Sequence, residues 1–158
     1  MAKGLVIYYT RSENTLAMAE QIAGAMNAAG VETRHLPVDK VSVEDISASD
    51  AVVIGSPVYY GAMTYEIKKL IDETIRRHAR LGGKVGGAFA SEVNVGGGGE
   101  TTILSILNAM LIHGFVIQGD TQGSHYGPIS VGKPDDKVKQ QCARYGDRIA
   151  RLTLKLHS

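Results

Sequence analysis

Leu5-Val6-Ile7-Tyr8-Tyr9 is an uninterrupted apolar run, the pattern of a strand buried on both faces. A polar stretch follows it. Then Leu16, Ala19, Ile22 or Ala23, and Met26 recur at spacings of three and four, which predicts an amphipathic helix stopped near Gly30. Val31 to Leu36 reads as a second strand ended by Pro37, and Ala51-Val52-Val53-Ile54 as a third ended by Gly55. Met63, Ile67, Leu70 or Ile71, and Thr74 or Ile75 mark a second helix. Val85 to Ala90 is a fourth strand, and Ile103, Leu104, Leu107, Met110 and Leu111 lie on a third helix. Phe115 to Gln118 is a fifth strand, and the stripe from Val138 through Cys142, Tyr145, Ile149 and Leu152 to Leu156 is a last helix. Five strands are thus interleaved with four helices. That alternation predicts one α/β domain over residues 1–158, with a parallel sheet in the order 2-1-3-4-5 and helices on both faces.

In such a sheet, ligands bind beyond the carboxyl ends of the strands, where the strand order reverses. Three loops fall there. Thr10-Arg11-Ser12-Glu13-Asn14-Thr15 opens a helix, whose free backbone N–H groups and positive dipole end suit an anion. Thr10, Ser12 and Thr15 add hydroxyls and Asn14 an amide. The same residues also make ordinary helix caps, so a capped helix start and a phosphate site both stand at this point. Gly55-Ser56-Pro57-Val58-Tyr59-Tyr60-Gly61-Ala62-Met63 places two aromatics at the end of a central strand, which suits a flat ring; at least one tyrosine is expected to pack inward. Ser91 to Glu100 carries four consecutive glycines that let backbone N–H groups approach a ligand. The glycine-rich segment from Gly119 to Pro134 is expected to be a functional loop.

Composition narrows the field. The net charge is +1, and no basic run suggests a nucleic-acid face. The single cysteine, Cys142, excludes an internal disulfide and a thiolate cluster, and no metal site is expected. The chain starts directly on a strand and holds no long apolar run, so the expectation is a cytoplasmic protein away from the membrane. A phosphoryl-accepting receiver needs acidic residues where Tyr9-Thr10 and Gly55-Ser56-Pro57 stand. A small tyrosine phosphatase needs a cysteine after the first strand, and no Walker A pattern is present.

Taken together, the three loops resemble those of the flavodoxin-like FMN flavoproteins. The first is similar to that family's phosphate loop, Thr/Ser-x-Thr/Ser-Gly-Asn-Thr, with Glu13 where glycine is usual. Within the family the chain is most similar to NAD(P)H:quinone oxidoreductases of the WrbA type. The similarity lies in Ser56 to Met63, in Gly96-Gly97-Gly98 followed by Glu100 and Thr101, in His113-Gly114, in Tyr126-Gly127, and in the closing helix from Ala143. It departs from them in shorter segments after strands two, three and five and in having no tryptophan.

The resemblance implies a flavodoxin-like three-layer sandwich that binds FMN. The phosphate would lie on Thr10, Arg11, Ser12, Glu13, Asn14 and Thr15. The ring would lie between Pro57, Val58, Tyr59, Tyr60 and Gly61 on one side and Val93, Asn94, Val95, Gly96, Gly97 and Gly98 on the other. It also implies a catalytic, flavin-facing His113, although a histidine at a helix end is equally a capping residue. His35, His78 and His157 read as solvated. The implied activity is NAD(P)H-dependent reduction of a quinone or similar small acceptor, in a possible homo-oligomer. The alternative is an electron carrier between partner proteins. Carriers of this family are usually acidic and often cover the flavin with an aromatic from the third loop. This chain is near neutral, and Ser91 to Glu100 holds no aromatic.

Overall fold

The structure is a computed structural model and describes residues 1–157. Strand β1 (Lys3–Tyr8) lies between β2 (Glu32–Pro37) and β3 (Ala51–Pro57). β4 (Val85–Glu92) follows β3, and the fifth edge position beside β4 is shared by β5 (Val116–Ile117) and β6 (Ile129–Val131). All pairings are parallel, and the order 2-1-3-4-5 is the expected one. Helices α1 (Asn14–Ala28) and α5 (Asp136–His157) cover one face. Helices α2 (Val43–Ser47), α3 (Tyr65–Glu73) and α4 (Gly99–Ile112) cover the other. The strands are apolar throughout because alternate residues feed two separate cores. In β1, Val6 and Tyr8 join Met18, Ile22, Met26, Phe89 and Ile149, while Leu5 and Ile7 join Ile54, Ile67, Ile103 and Ile106.

The fifth strand differs from its sequence expectation. Val116 and Ile117 pair only with Val85 and Gly86, and the chain then leaves the sheet before Ile129, Ser130 and Val131 pair with Ala90, Ser91 and Glu92. The middle of β4 therefore lacks a strand partner on that side. Tyr145 from α5 fills part of the gap: its hydroxyl accepts the Ala88 N–H at 2.9 Å. Gly87 makes room for it, since a Cβ there would lie 2.5 Å from the tyrosine oxygen. A buried N–H is thus satisfied by a side chain where the ladder is interrupted. On the same stripe of α5, Cys142 is fully buried, and burial pushes its thiol up to about 12. It is a packing residue and an inert one.

Helix α2 carries no apolar periodicity long enough to stand out. Its start is held by a capping box: the Ser42 hydroxyl accepts the Asp45 N–H while Asp45 accepts the Ser42 N–H. Hydrogen bonds from Arg34, and then from Ser42, hold the Asp45 carboxyl down at about 2. Because the folded value lies below the unfolded one, this stabilisation is complete above about pH 5 and is lost as the pH falls from about 4 toward 2. Asp45→Asn is expected to cost about 1 kcal/mol at pH 7. In urea melts across pH the difference from the parent chain should vanish near pH 2.

Candidate functional site

The turn between β1 and α1 is shaped by Glu13, which adopts a left-handed backbone (φ 68°) at the N-cap of α1. No side chain caps this helix. The first bond into it is the Ala17 N–H to the Glu13 carbonyl, at 3.0 Å. The N–H groups of Asn14, Thr15 and Leu16 therefore find no partner inside the helix. Of the two readings open in the sequence, a capped start and an anion site, the first is not realised, since no side chain caps the helix. Beside it the Thr10 Oγ1 is buried and has no hydrogen-bond partner. Thr15, also buried, is tied across to β4 through its hydroxyl and that of Ser91, 2.9 Å apart.

After β3 the chain makes a tight turn. Tyr59 and Ala62 exchange both backbone hydrogen bonds, at 3.1 and 3.2 Å. Tyr60 (φ 53°) and Gly61 (φ 74°) occupy the centre with positive φ, the arrangement of a type I′ turn. Glycine adopts that conformation readily, whereas tyrosine does so at a cost of about 1–2 kcal/mol. Tyr60 stands fully in solvent at the tip. Tyr59 is the more inward of the pair, 38% exposed, with its ring edge-on to Tyr9. Ser56 anchors the base of the loop, donating to the Pro57 carbonyl at 2.8 Å and accepting the Thr64 N–H at 3.0 Å.

The third loop meets the second directly. A Cβ on Gly98 would lie 2.9 Å from the Gly61 Cα and 3.3 Å from Val58, and Gly98 itself has φ 113°. The Val58 N–H donates to the Ser91 carbonyl at 2.8 Å. Glu92 is buried at the end of β4 and accepts the Gly99 N–H at 2.8 Å, closing the start of α4. Val93, Asn94, Val95, Gly96 and Gly97 project into solvent beyond it.

These contacts bring the loops around one cavity of about 590 Å³. Arg11, Ser12, Asn14 and Thr15 line it from the first loop, and Pro57, Val58 and Tyr59 from the second. Ser91, Glu92 and Val93 line it from β4 and the third loop. Pockets for small ligands span about 300–1,000 Å³, so its size is ordinary for one. Thr10, Glu13, Tyr60, Gly61 and Asn94 to Gly98 stand outside its wall, Thr10 directly before the Arg11 and Ser12 that line it. Ser91, Glu92 and Gly132 belong to the wall although, within segments expected to be functional, none was named as a contact. An acid closing a strand just before a glycine-rich helix start was the legible signal for Glu92. Gly132 was hidden because β6 is only three residues long.

His113 does not reach the cavity. It caps the end of α4 just before Val116, which pairs with Val85 at the start of β4. The three loops lie at the far end of β4, about 23 Å along the strand at 3.3 Å per residue. The expectation of a flavin-facing His113 is therefore corrected: the residue stands at the amino edge of the sheet. His78 is exposed, as expected, and is hydrogen-bonded to it there. His125 and Tyr126 lie on the segment between β5 and β6 and line a different cavity, of about 400 Å³, with Glu100 and Val131.

A parallel 2-1-3-4-5 sheet with its cavity at the carboxyl ends of β1, β3 and β4 defines a flavodoxin-like protein. The flavodoxin domain family model matches residues 5–94, more than half of the chain. The chain belongs to that family. It is 36% identical to a flavodoxin from Aquifex aeolicus (strain VF5), with 95% of this chain and 86% of that protein aligned. It is 30% identical to an NAD(P)H dehydrogenase (quinone) from Archaeoglobus fulgidus, with 99% of this chain and all of that protein aligned. That alignment runs over 190 positions, so the relative carries extra segments. Among solved structures, a flavodoxin from the domain Archaea superposes with a TM-score of 0.82 at 27% identity, covering 96% of this chain and 99% of that one. A WrbA-like protein from Agrobacterium tumefaciens shares the fold, with a TM-score of 0.85 at 21% identity and 99% of both chains covered. No helix among the described residues is long and apolar enough to cross a membrane.

Proposed function

We propose that the cavity holds FMN and that the protein is a cytoplasmic NAD(P)H-dependent reductase of quinones or similar small acceptors. The observation that carries FMN binding is the first loop. Its helix start is uncapped, and its buried Thr10 hydroxyl lacks an acceptor. Thr10, Ser12, Asn14 and the N–H groups of Asn14 to Leu16 would hold the phosphate with neutral donors and the helix dipole. Arg11 adds the one positive charge in the cavity wall. Pro57, Val58, Tyr59 and Tyr60, with Gly61 setting the turn, would flank the ring on one side. The N–H groups of Val93 to Gly98 would face its polar end and favour negative charge there. The bound flavin supplies the hydride and electron chemistry; the chain binds it, orients it and sets its electrostatics.

The reductase reading is supported by access. The third loop offers Val93 and Val95 as its exposed large hydrophobic side chains and holds no aromatic, which supports a site face open to a small molecule. The near-neutral net charge gives little long-range steering toward a charged partner protein. The carrier reading keeps one specific support, the 36% identity to a relative named flavodoxin. An anaerobic mixture with NADH or NADPH separates the two. Direct bleaching of the bound FMN followed by reoxidation with a quinone supports the reductase. Bleaching only through an added reductase protein supports the carrier. A chain that stays colourless with excess FMN and shows no thermal shift overturns both.

Glu13 supplies a further prediction. Its left-handed backbone is the conformation glycine tolerates best, and its carboxylate sits on the phosphate loop. Glu13→Gly is expected to tighten FMN about threefold to tenfold by removing one like charge. Fluorescence titration should show the gain shrinking at high salt, where exposed charges are screened.

A further inference from the structure

At the amino edge of the sheet, away from the FMN cavity, His78 and His113 turn Nδ1 toward Nδ1, 2.8 Å apart. The hydrogen bonds around them fix the tautomers. The Thr74 hydroxyl donates its only proton to the Ile71 carbonyl at 2.5 Å. It must therefore accept from His113, whose Nε2 lies 2.7 Å away. With its proton on Nε2, His113 has a bare Nδ1 and receives the His78 Nδ1–H.

This is the arrangement of a prepared metal ligand. A coordinating histidine donates its other ring N–H to an oxygen, which fixes the tautomer and aims the free nitrogen. His113 has that partner in Thr74, and its free nitrogen already faces a second imidazole. His78 stands exposed on the short 3-10 turn Thr74–Arg80, so it can adjust. With metal–nitrogen bonds of about 2.0–2.1 Å at a tetrahedral angle, the two nitrogens would lie about 3.3 Å apart. The pair needs to open by about half an ångström, and each ring to tilt by about 35° so that both lone pairs meet the metal.

We infer that His78 and His113 form a two-histidine site for a borderline divalent transition metal such as Zn²⁺, cross-linking the turn after α3 to the end of α4. On binding, His78 moves its proton from Nδ1 to the solvent-facing Nε2, both Nδ1 lone pairs coordinate, and no net proton is released. No group of three or more His, Cys, Asp or Glu side chains suited to a metal occurs among the described residues, so water completes the coordination. Two imidazoles favour Zn²⁺, Ni²⁺ or Cu²⁺ over Mg²⁺ or Ca²⁺. Arg76, Arg77 and Arg80 lie on the same turn, and Arg77 is paired with Glu44 at 3.4 Å. Their charge lowers affinity and places the site in the micromolar class.

The test is isothermal titration of the untagged full-length chain with Zn²⁺, with and without FMN, using Mg²⁺ as control. One site per chain at about micromolar affinity, equal in both forms, is expected. His78→Gln and His113→Gln should each weaken it at least tenfold. Thr74→Val, which keeps the side chain's shape, should weaken it about tenfold by releasing the His113 tautomer. His35→Gln and His125→Gln should leave it unchanged. Because His78 is exposed, its variant is expected to fold, and a parental far-UV spectrum verifies this. The proposal is overturned if the site survives in His78→Gln, if Thr74→Val binds like the parent chain, or if no binding tighter than millimolar is seen.

Discussion

Thr10→Val is expected to make the apoprotein more stable and FMN binding weaker. The Thr10 hydroxyl is buried with no partner, so the apoprotein carries a desolvated group that valine removes at nearly constant shape. Relief of one unsatisfied buried polar atom contributes about 1 kcal/mol or more. A hydrogen bond to a charged group is in turn worth about 1.5–3 kcal/mol, so losing this donor should weaken FMN by about tenfold to a hundredfold. Melting of the apoprotein and fluorescence titration of FMN read the two effects separately. Thr15→Ala provides the contrast. Thr15 is buried and bonded to Ser91, so its loss unpairs a serine and opens a void between α1 and β4, lowering stability and FMN affinity together. If Thr10→Val lowers both as well, Thr10 is scaffold rather than a phosphate donor.

The same logic explains why the second loop spends strain where it does. Tyr60 holds a left-handed backbone at the tip of a type I′ turn and gains no packing from it, since the ring is fully exposed. Gly61 packs against Gly98, so the turn is clamped from behind by the third loop. The strain therefore falls at an exposed tip beside the cavity wall formed by Pro57, Val58 and Tyr59, the kind of place where backbone strain is found at binding sites.

The order of strands, both helical layers and the placing of three loops at one end were legible in the sequence. Each followed from a pattern repeated over many residues, such as the doubly buried run Leu5 to Tyr9 or the stripe on α5. What escaped was set by single contacts. Val116 and Ile117 form only half of the fifth edge because the chain departs from β4 and Tyr145 accepts the Ala88 N–H in its place. Tyr145 reads in sequence as one more apolar position. The donors at the start of α1 were legible but its uncapped geometry was not, because a serine or asparagine near a helix start often caps it. Only the backbone of Glu13, turned to φ 68°, shows that neither does so here. His113 misled because its role came from the likeness of a His-Gly pair alone, although a residue just before a strand of a parallel sheet stands at the amino end, opposite the loops that bind ligands.

Gly146→Ala should be the most damaging small substitution in the helical layers. Gly146 lies in α5 against α1, the most extensive helix–helix contact in the molecule. A Cβ there would stand 2.4 Å from the Ile22 carbonyl oxygen and 3.0 Å from the Ala25 Cβ. The first of these is backbone of α1 and cannot swing aside, so the helices must separate where Ile22, Met26, Ile149 and Ala150 are buried. Alanine is about 1 kcal/mol better than glycine inside a helix, which offsets part of the cost. Overpacking against a rigid backbone exceeds that gain, for a net loss of about 3 kcal/mol. In a chain of this size that lowers Tm by about 6–12 °C. Gly24→Ala makes the same chemical change in α1, where a Cβ would meet nothing within 4 Å. There the helix gain stands alone, and Tm should rise by about 2–4 °C. Two glycine-to-alanine changes in touching helices are thus expected to move stability in opposite directions. Thermal melts of the two variants beside the parent chain decide it: if both rise, the close approach of α1 and α5 at Gly146 is not holding the helices in place.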